Sequence, residues 1–189
     1  MVLVEGVSDK TAVETLAARL GRDLAGEGIA VVPIGGAHAI GRFLAQFGPH
    51  GANAVVAGLY DAGEESVVRR GLQRAGLGSD SQLTRLDMEQ LGFYVCVEDL
   101  EDELIRALGA AEVQDVLRSH GDLDSFRTLQ KEPAWRGRTA ESQLRRFMGS
   151  GGSRKLRYAR LLVEALDPAD VPRPLHRVLA HCSGSTRNQ

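Results

Sequence analysis

Residues 2–10 read VLVEGVSDK, and the reading of this stretch decides the fold. Three apolar residues, Val2 to Val4, run without a polar break into Glu5, then Gly6, Ser8 and Asp9. So short and so apolar a run is a strand covered on both faces, as in parallel sheets. A helical pattern follows over 8–24, where Val13, Leu16, Ala17, Leu20 and Leu24 recur at three- and four-residue steps, with Ser8 as the expected N-cap. The strand thus ends on a carboxylate, and a second carboxylate stands one helical turn later.

The same unit repeats outward from there. IAVVPI at 29–34, AVVAGLY at 54–60 and FYVCV at 93–97 are further valine-rich strands. Between them, Ile40, Phe43, Leu44 and Phe47 mark a helix over 37–47, and Val67, Val68, Leu72 and Ala75 one over 64–75. Strand alternating with helix predicts an α/β sheet with right-handed crossovers. After residue 99 the strands stop. DLEDELIRALG, AAEVQDVLRSHG, TAESQLRRFMG, SRKLRYARLLVEAL and PRPLHRVLAHC all read as helices. We therefore expect an α/β core over 1–110, a helical extension over 111–182 packed on it, and a flexible tail over 183–189. GSGGS at 149–153 reads as a flexible joint inside the extension.

The 189 residues suffice for one well-cored domain with an added lobe. A hydrophobic fraction of 43% and a charged fraction of 25% are those of ordinary soluble proteins. The net charge of −2 provides no global field for nucleic acid, so such a partner needs a local basic surface or metal ions. No apolar stretch has the length of a membrane span. Cys96 sits in an apolar run and reads as a buried thiol; Cys182 is far from it, and no Cys/His spacing suggests zinc. These features lead us to expect a reducing, cytoplasmic setting.

The acids fall where the strands end. The first strand runs into Glu5, the third into Asp61, and the fourth into Glu98 and Asp99, with Glu101 two residues on. In a parallel sheet these ends share one edge, the edge where open α/β sheets bind ligands. Convergent carboxylates repel one another unless a cation intervenes. An all-oxygen donor set suits Mg²⁺ or Mn²⁺, and a hard divalent ion held this way is equipped for phosphate chemistry. The competing reading is that Asp9 and Asp99 merely cap helices.

Other residues carry weaker signals. Gly35 and Gly36 could admit a phosphate to the backbone, or could simply make a tight turn. His38 follows them and could touch substrate or only face solvent. Basic residues gather late, and Arg154, Arg157 and Arg160 fall three apart on one helical face, either as a stripe for a phosphate backbone or as a solvated surface. Trp135 and Tyr158 could stack on bases or belong to packing.

VLVEGVSDK, followed in order by PIGGAHAIGRFL, LYDAGEE and DLEDELIRALG, resembles the TOPRIM domain of topoisomerases, primases and recombination nucleases. The wording is most similar to the OLD (overcoming lysogenization defect) nucleases, over roughly residues 2–165. The resemblance implies a Rossmann-like core with a central, mainly parallel four-stranded sheet, and a DNA nuclease that uses two Mg²⁺ or Mn²⁺ ions. It implies that Glu5, Asp9 and Asp61 hold one ion, that Asp99 and Glu101 hold the other, and that Lys155 offsets charge at the reacting phosphate. It also implies a partner ATPase, because in that family an ATPase domain usually precedes the TOPRIM domain. Two departures stand out. The family's Asp-x-Asp is here Asp61-Ala62-Gly63-Glu64, so Glu64 or Glu65 must replace the second acid. No GxxxxGK[ST] occurs in the chain, so ATP hydrolysis is not expected of it, and a stand-alone protein or a piece of a longer one both fit. A non-catalytic docking module and a metal-dependent nucleotidyl transfer or nucleotide hydrolysis are the rival functions. Topoisomerase chemistry is not expected, since Tyr60 and Tyr94 lie inside strands.

Overall fold

Val2–Val4 (β1), Val31–Pro33 (β2), Ala57–Asp61 (β3) and Phe93–Cys96 (β4) form one sheet in the order β2-β1-β3-β4, parallel at every pairing. The computed structural model describes residues 1–78 and 83–184, the last two by backbone alone. The chain passes from β1 to β2 on one side, then returns across β1 to reach β3. That reversal opens a crevice beyond the carboxyl ends of β1 and β3, the place where such sheets receive ligands.

Alternation along each strand divides the interior in two. Val2, Val4, Ala57, Leu59, Tyr94 and Cys96 face one core, and Leu3, Tyr60 and Phe93 face the other. The second core is closed by Ile40–Phe47 (α2), Glu65–Arg74 (α3) and Arg85–Gln90 (α4) through Ile40, Leu44, Val68, Leu72 and Met88. The first is closed by Val7–Arg19 (α1) together with Leu100–Ser119 (α5), Gly152–Ala165 (α8) and Arg173–Gly184 (α9). Leu123–Lys131 (α6) and Ala140–Met148 (α7) complete the nine α-helices among the described residues, and Phe126 of α6 meets Phe147 of α7 edge to face. The helical half of the chain therefore shares with α1 one of the sheet's two covers. Arg19 and Arg22 fasten it by donating to the carbonyls of Val163 (2.5 Å) and Leu179 (2.7 Å).

The strands fall where the alternation places them, but several helical details differ. α1 stops at Arg19, not at 24, because Gly21 takes a left-handed φ of 70° just beyond the C-cap Leu20. Leu20 is consequently 47% exposed, while Leu24 reaches the core from the following turn. Gly6 is the N-cap; Ser8 is buried inside the first turn, and the Asp9 carboxylate accepts the Gly6 N–H at 2.8 Å. The helices expected at 37–47 and 64–75 each open on a 3₁₀ turn, at 37–39 and 62–64. α4 and α6 have no counterpart in the reading, since six residues are too few to show a period and α6 carries only a sparse apolar face. Of GSGGS, 149–151 make a hydrogen-bonded turn and Gly152 and Ser153 open α8: Ser150 Oγ donates to the Phe147 carbonyl, and Arg154 donates to Ser150 Oγ at 2.6 Å. Of the expected tail, residues 183 and 184 continue α9, and 185–189 lie outside the described residues.

Candidate metal centre

β1 ends at Val4, so Glu5 is the first side chain over the carboxyl edge of the sheet. Gly6 continues extended, with φ −134° and ψ 179°, and the first turn of α1 brings Asp9 back over the strand end. β3 ends at Asp61, across the crevice. Asp99 follows β4 and caps α5, accepting the Asp102 N–H at 2.8 Å, and Glu101 lies in the turn that it starts, only 5% exposed. From the helical layer, α8 delivers Lys155, whose Nζ stands 3.3 Å from Glu101 Oε1. With Gly6, Gly35 and Gly36, these six side chains line one cavity of about 360 Å³. Four separated segments thus contribute five carboxylates and one ammonium. Asp9 and Asp99 serve their helix N-termini, as the capping reading has it, and also line the cavity.

Crowding leaves its mark on these groups. Burial, and then the charges of Glu5, Asp99, Asp9 and Glu101, push the Asp61 carboxyl up to about 7. Glu5 is raised by burial and by Asp9 and Glu64. Asp9 is raised by burial, against the Gly6 N–H that favours its charged form. Glu101 is raised by burial although Lys155 opposes it. For Lys155, burial favours the neutral amine, but the sum of Glu101, Asp9 and Asp99 outweighs it and holds the ammonium charged. The cavity is a site short of positive charge.

Around this centre the structure sorts the remaining candidates. Glu64 lies close enough to Glu5 to raise its pKa but does not line the cavity. Glu65 is turned away, ion-paired with Arg69 and Arg85. The Gly35 and Gly36 N–H groups donate to the Glu5 carbonyl at 3.0 and 3.3 Å, and both residues hold left-handed φ values of 76° and 106°. They make the tight turn, and a phosphate would meet them through the open space that they leave, not through those amides. Arg154 is bound to Ser150 and lies over the Phe147 ring; Arg157 pairs with Asp122 and lies over Tyr158. Tyr158 is buried and donates to Asp122 at 2.6 Å, which leaves it no face for a base. Two contacts escape the sequence reading. Arg145 of α7 donates to Asp99 at 2.7 Å and to Glu98 at 3.3 Å, and Glu103 is buried to accept the Val97 N–H at 2.8 Å. Arg145 carries no local signal, because 46 residues separate it from Asp99. A wider cleft of about 910 Å³, walled by Trp135, Arg138, Arg145 and Arg146, adjoins the acid cavity through Asp99.

The donor set fits hard divalent ions: it is all oxygen, anionic, partly buried and roomy enough to keep water on the ion. Among the described residues no three His, Cys, Asp or Glu side chains form a ready-made cage. Asp99 is drawn to Arg145 and Glu101 to Lys155, so these acids must be released to close on an ion.

Residues 1–58 match the family described as "Overcoming lysogenization defect protein-like, TOPRIM domain". No curated protein sequence matches the chain. Among solved structures, the C-terminal region of the Xanthomonas campestris pv. campestris OLD protein is similar with a TM-score of 0.70 and 25% identity, over 98% of this chain and 92% of that one. The C-terminal region of the Burkholderia pseudomallei OLD protein is similar with a TM-score of 0.71 and 20% identity, over 98% and 96%. The acid-ended first strand and its helix lie within the 58 residues that match this TOPRIM family, and nearly the whole chain shares the fold of the C-terminal regions of OLD proteins.

Proposed function

We propose that the chain is a Mg²⁺- or Mn²⁺-dependent nuclease that hydrolyses DNA phosphodiesters at the carboxyl edge of its sheet. The observation that carries this reading is the meeting of Glu5, Asp9, Asp61, Asp99 and Glu101 with Lys155 in one cavity. Glu5, Asp9 and Asp61 would hold one ion and Asp99 and Glu101 a second, with Glu64 in reserve beside Glu5. Ions bound there would polarise a phosphoryl oxygen and lower the pKa of a coordinated water. Lys155, freed from Glu101 as that carboxylate turns to its ion, would place an ammonium against the charge developing on the phosphate. Asp61, protonated up to about pH 7 without a cation, must give up that proton to act as a ligand.

Nicking of supercoiled plasmid in Mn²⁺ or Mg²⁺ tests the proposal. Cleavage should vanish in EDTA, fall at least about 100-fold in Asp61→Asn, and fall about 10²–10³-fold in Lys155→Ala, as for removal of one charge-stabilising donor. Cleavage that survives EDTA, or none at any metal concentration, would count against it.

The Arg145 clamp on Asp99, together with Ala62-Gly63 in place of the second acid, favours a second reading: a module that binds DNA or a partner ATPase without cutting. Metal and DNA binding by the parent that Glu5→Ala leaves unchanged, with cleavage by neither, would select it.

A further inference from the structure

We infer that a cationic groove between α2 and α3 holds the nucleic-acid strand on one side of the acid cavity, through the side chains of His38, Arg70 and Arg74. The inference rests on the nuclease reading for the strand's path, but not for the groove itself. The groove has a volume of about 250 Å³, and among the described residues three cationic or polar side chains and no acid line it. Its floor is helix backbone. Gly71 lets α3 approach α2 so closely that an added Cβ would lie 2.8 Å from Ile40 Cγ2, and Gly41 beside it leaves the notch open.

Among the described residues, nothing neutralises the charges in the groove. Among the described residues, His38, Arg70 and Arg74 have no hydrogen-bond or ion-pair partner, whereas their neighbour Arg69 is paired with Glu65. Arg70 and Arg74 are four apart on one helix face, a like-charge spacing that costs stability and is relieved by an anion between them. The late arginines that formed the most obvious basic stripe in the sequence are the ones already engaged, Arg154 with Ser150 and Arg157 with Asp122.

The position suits a strand leaving the acid cavity. His38 stands two residues beyond Gly36, which lines that cavity. α3 starts four residues past Asp61, and its 1.5 Å rise puts Arg70 and Arg74 roughly 8 and 14 Å along the helix from Glu65. At roughly 3.4 Å per nucleotide those rises span two to four nucleotides, counted from the start of α3. Ions in the cavity can neutralise only the phosphate that they touch. In a chain of net charge −2 the flanking phosphates need cations of their own, and this groove supplies them.

The test is the binding of a fluorescein-labelled oligonucleotide by the 189-residue chain in EDTA, followed by anisotropy over a salt series. The slope of log K against log salt should flatten by about one per arginine removed, so by about two in Arg70→Ala/Arg74→Ala, with at least a tenfold loss of affinity at low salt. Gly41→Glu places a carboxylate beside the groove at a position where an added Cβ meets no atom within 4 Å, and replaces glycine by a better helix former; it should weaken binding as much. Slopes and affinities equal to the parent's in both variants would overturn the inference, as would an affinity that does not grow from a four- to a twelve-nucleotide probe. Cleavage is scored separately. Variants that bind and cut like the parent refute the groove alone, and groove-dependent binding by a parent that never cuts refutes the nuclease reading alone.

Discussion

Asp61 sits at the end of β3 with four other carboxylates in reach of its charge. Its folded pKa of about 7 lies above the unfolded value near 3.8, so between those values the native state binds more protons than the unfolded chain. Stability of the metal-free protein must then fall as pH rises from about 4 to about 7, and the upward shifts of Glu5, Asp9 and Glu101 act in the same direction. Lys155 is charged in both states across that window and does not alter the trend. Thermal melts in EDTA should show the midpoint dropping from pH 5 to pH 8. Asp61→Asn should flatten that drop and raise the pH 8 midpoint by about 2–4 °C per kcal/mol of repulsion removed, and Mn²⁺ should stabilise the parent more at pH 8 than at pH 5. A profile flat in pH would mean that the acids do not sense one another. At this scale the arrival of Glu5, Asp61 and Asp99 at one edge was legible, because the ends of apolar strands are legible. Arg145 was not, since no periodicity ties α7 to the cap of α5.

Helices show where pattern reading stops. α5 is two helices joined at Gly109, which breaks them with φ 78° and ψ 150°. That conformation belongs to glycine almost alone. An added Cβ would meet nothing within 4 Å, so backbone strain and not crowding decides the outcome. Gly109→Ala should destabilise by about 1–3 kcal/mol in urea unfolding, and a neutral result would show that the two halves of α5 can straighten into one rod. The sequence resolves a glycine between two apolar-periodic stretches as a boundary. It does not say whether the chain turns there or merely kinks. The same ambiguity affects Gly6, which takes the N-cap through its extended backbone while Asp9 closes the turn, so that Ser8, the better capping residue by type, is left inside the helix.

In the whole molecule the helical half is a wall of the sheet. α1 lies along α8, and one apolar core runs from Val2 through Leu162 to Val178. Residues 1–110 expressed alone should therefore expose the Val2, Val4 and Leu59 face, bind a hydrophobic dye and aggregate, while the full chain melts in one transition; a soluble, cooperatively melting fragment would show that α1 and the first half of α5 suffice as cover. The alternation of strand and helix made the parallel sheet readable. The docking of α8 and α9 was not readable, because an apolar helix face does not declare which surface it will meet. One consequence concerns Cys96, which pairs in register with Asp61 and is 1% exposed, its thiol pushed up by burial and by the nearby acids. An alkylating reagent can reach that sulfur only when the β3–β4 seam opens or the layer above it lifts. In a Cys182→Ser background its labelling rate would serve as a clock for the breathing of the sheet, and filling the neighbouring cavity with Mn²⁺ should slow that clock.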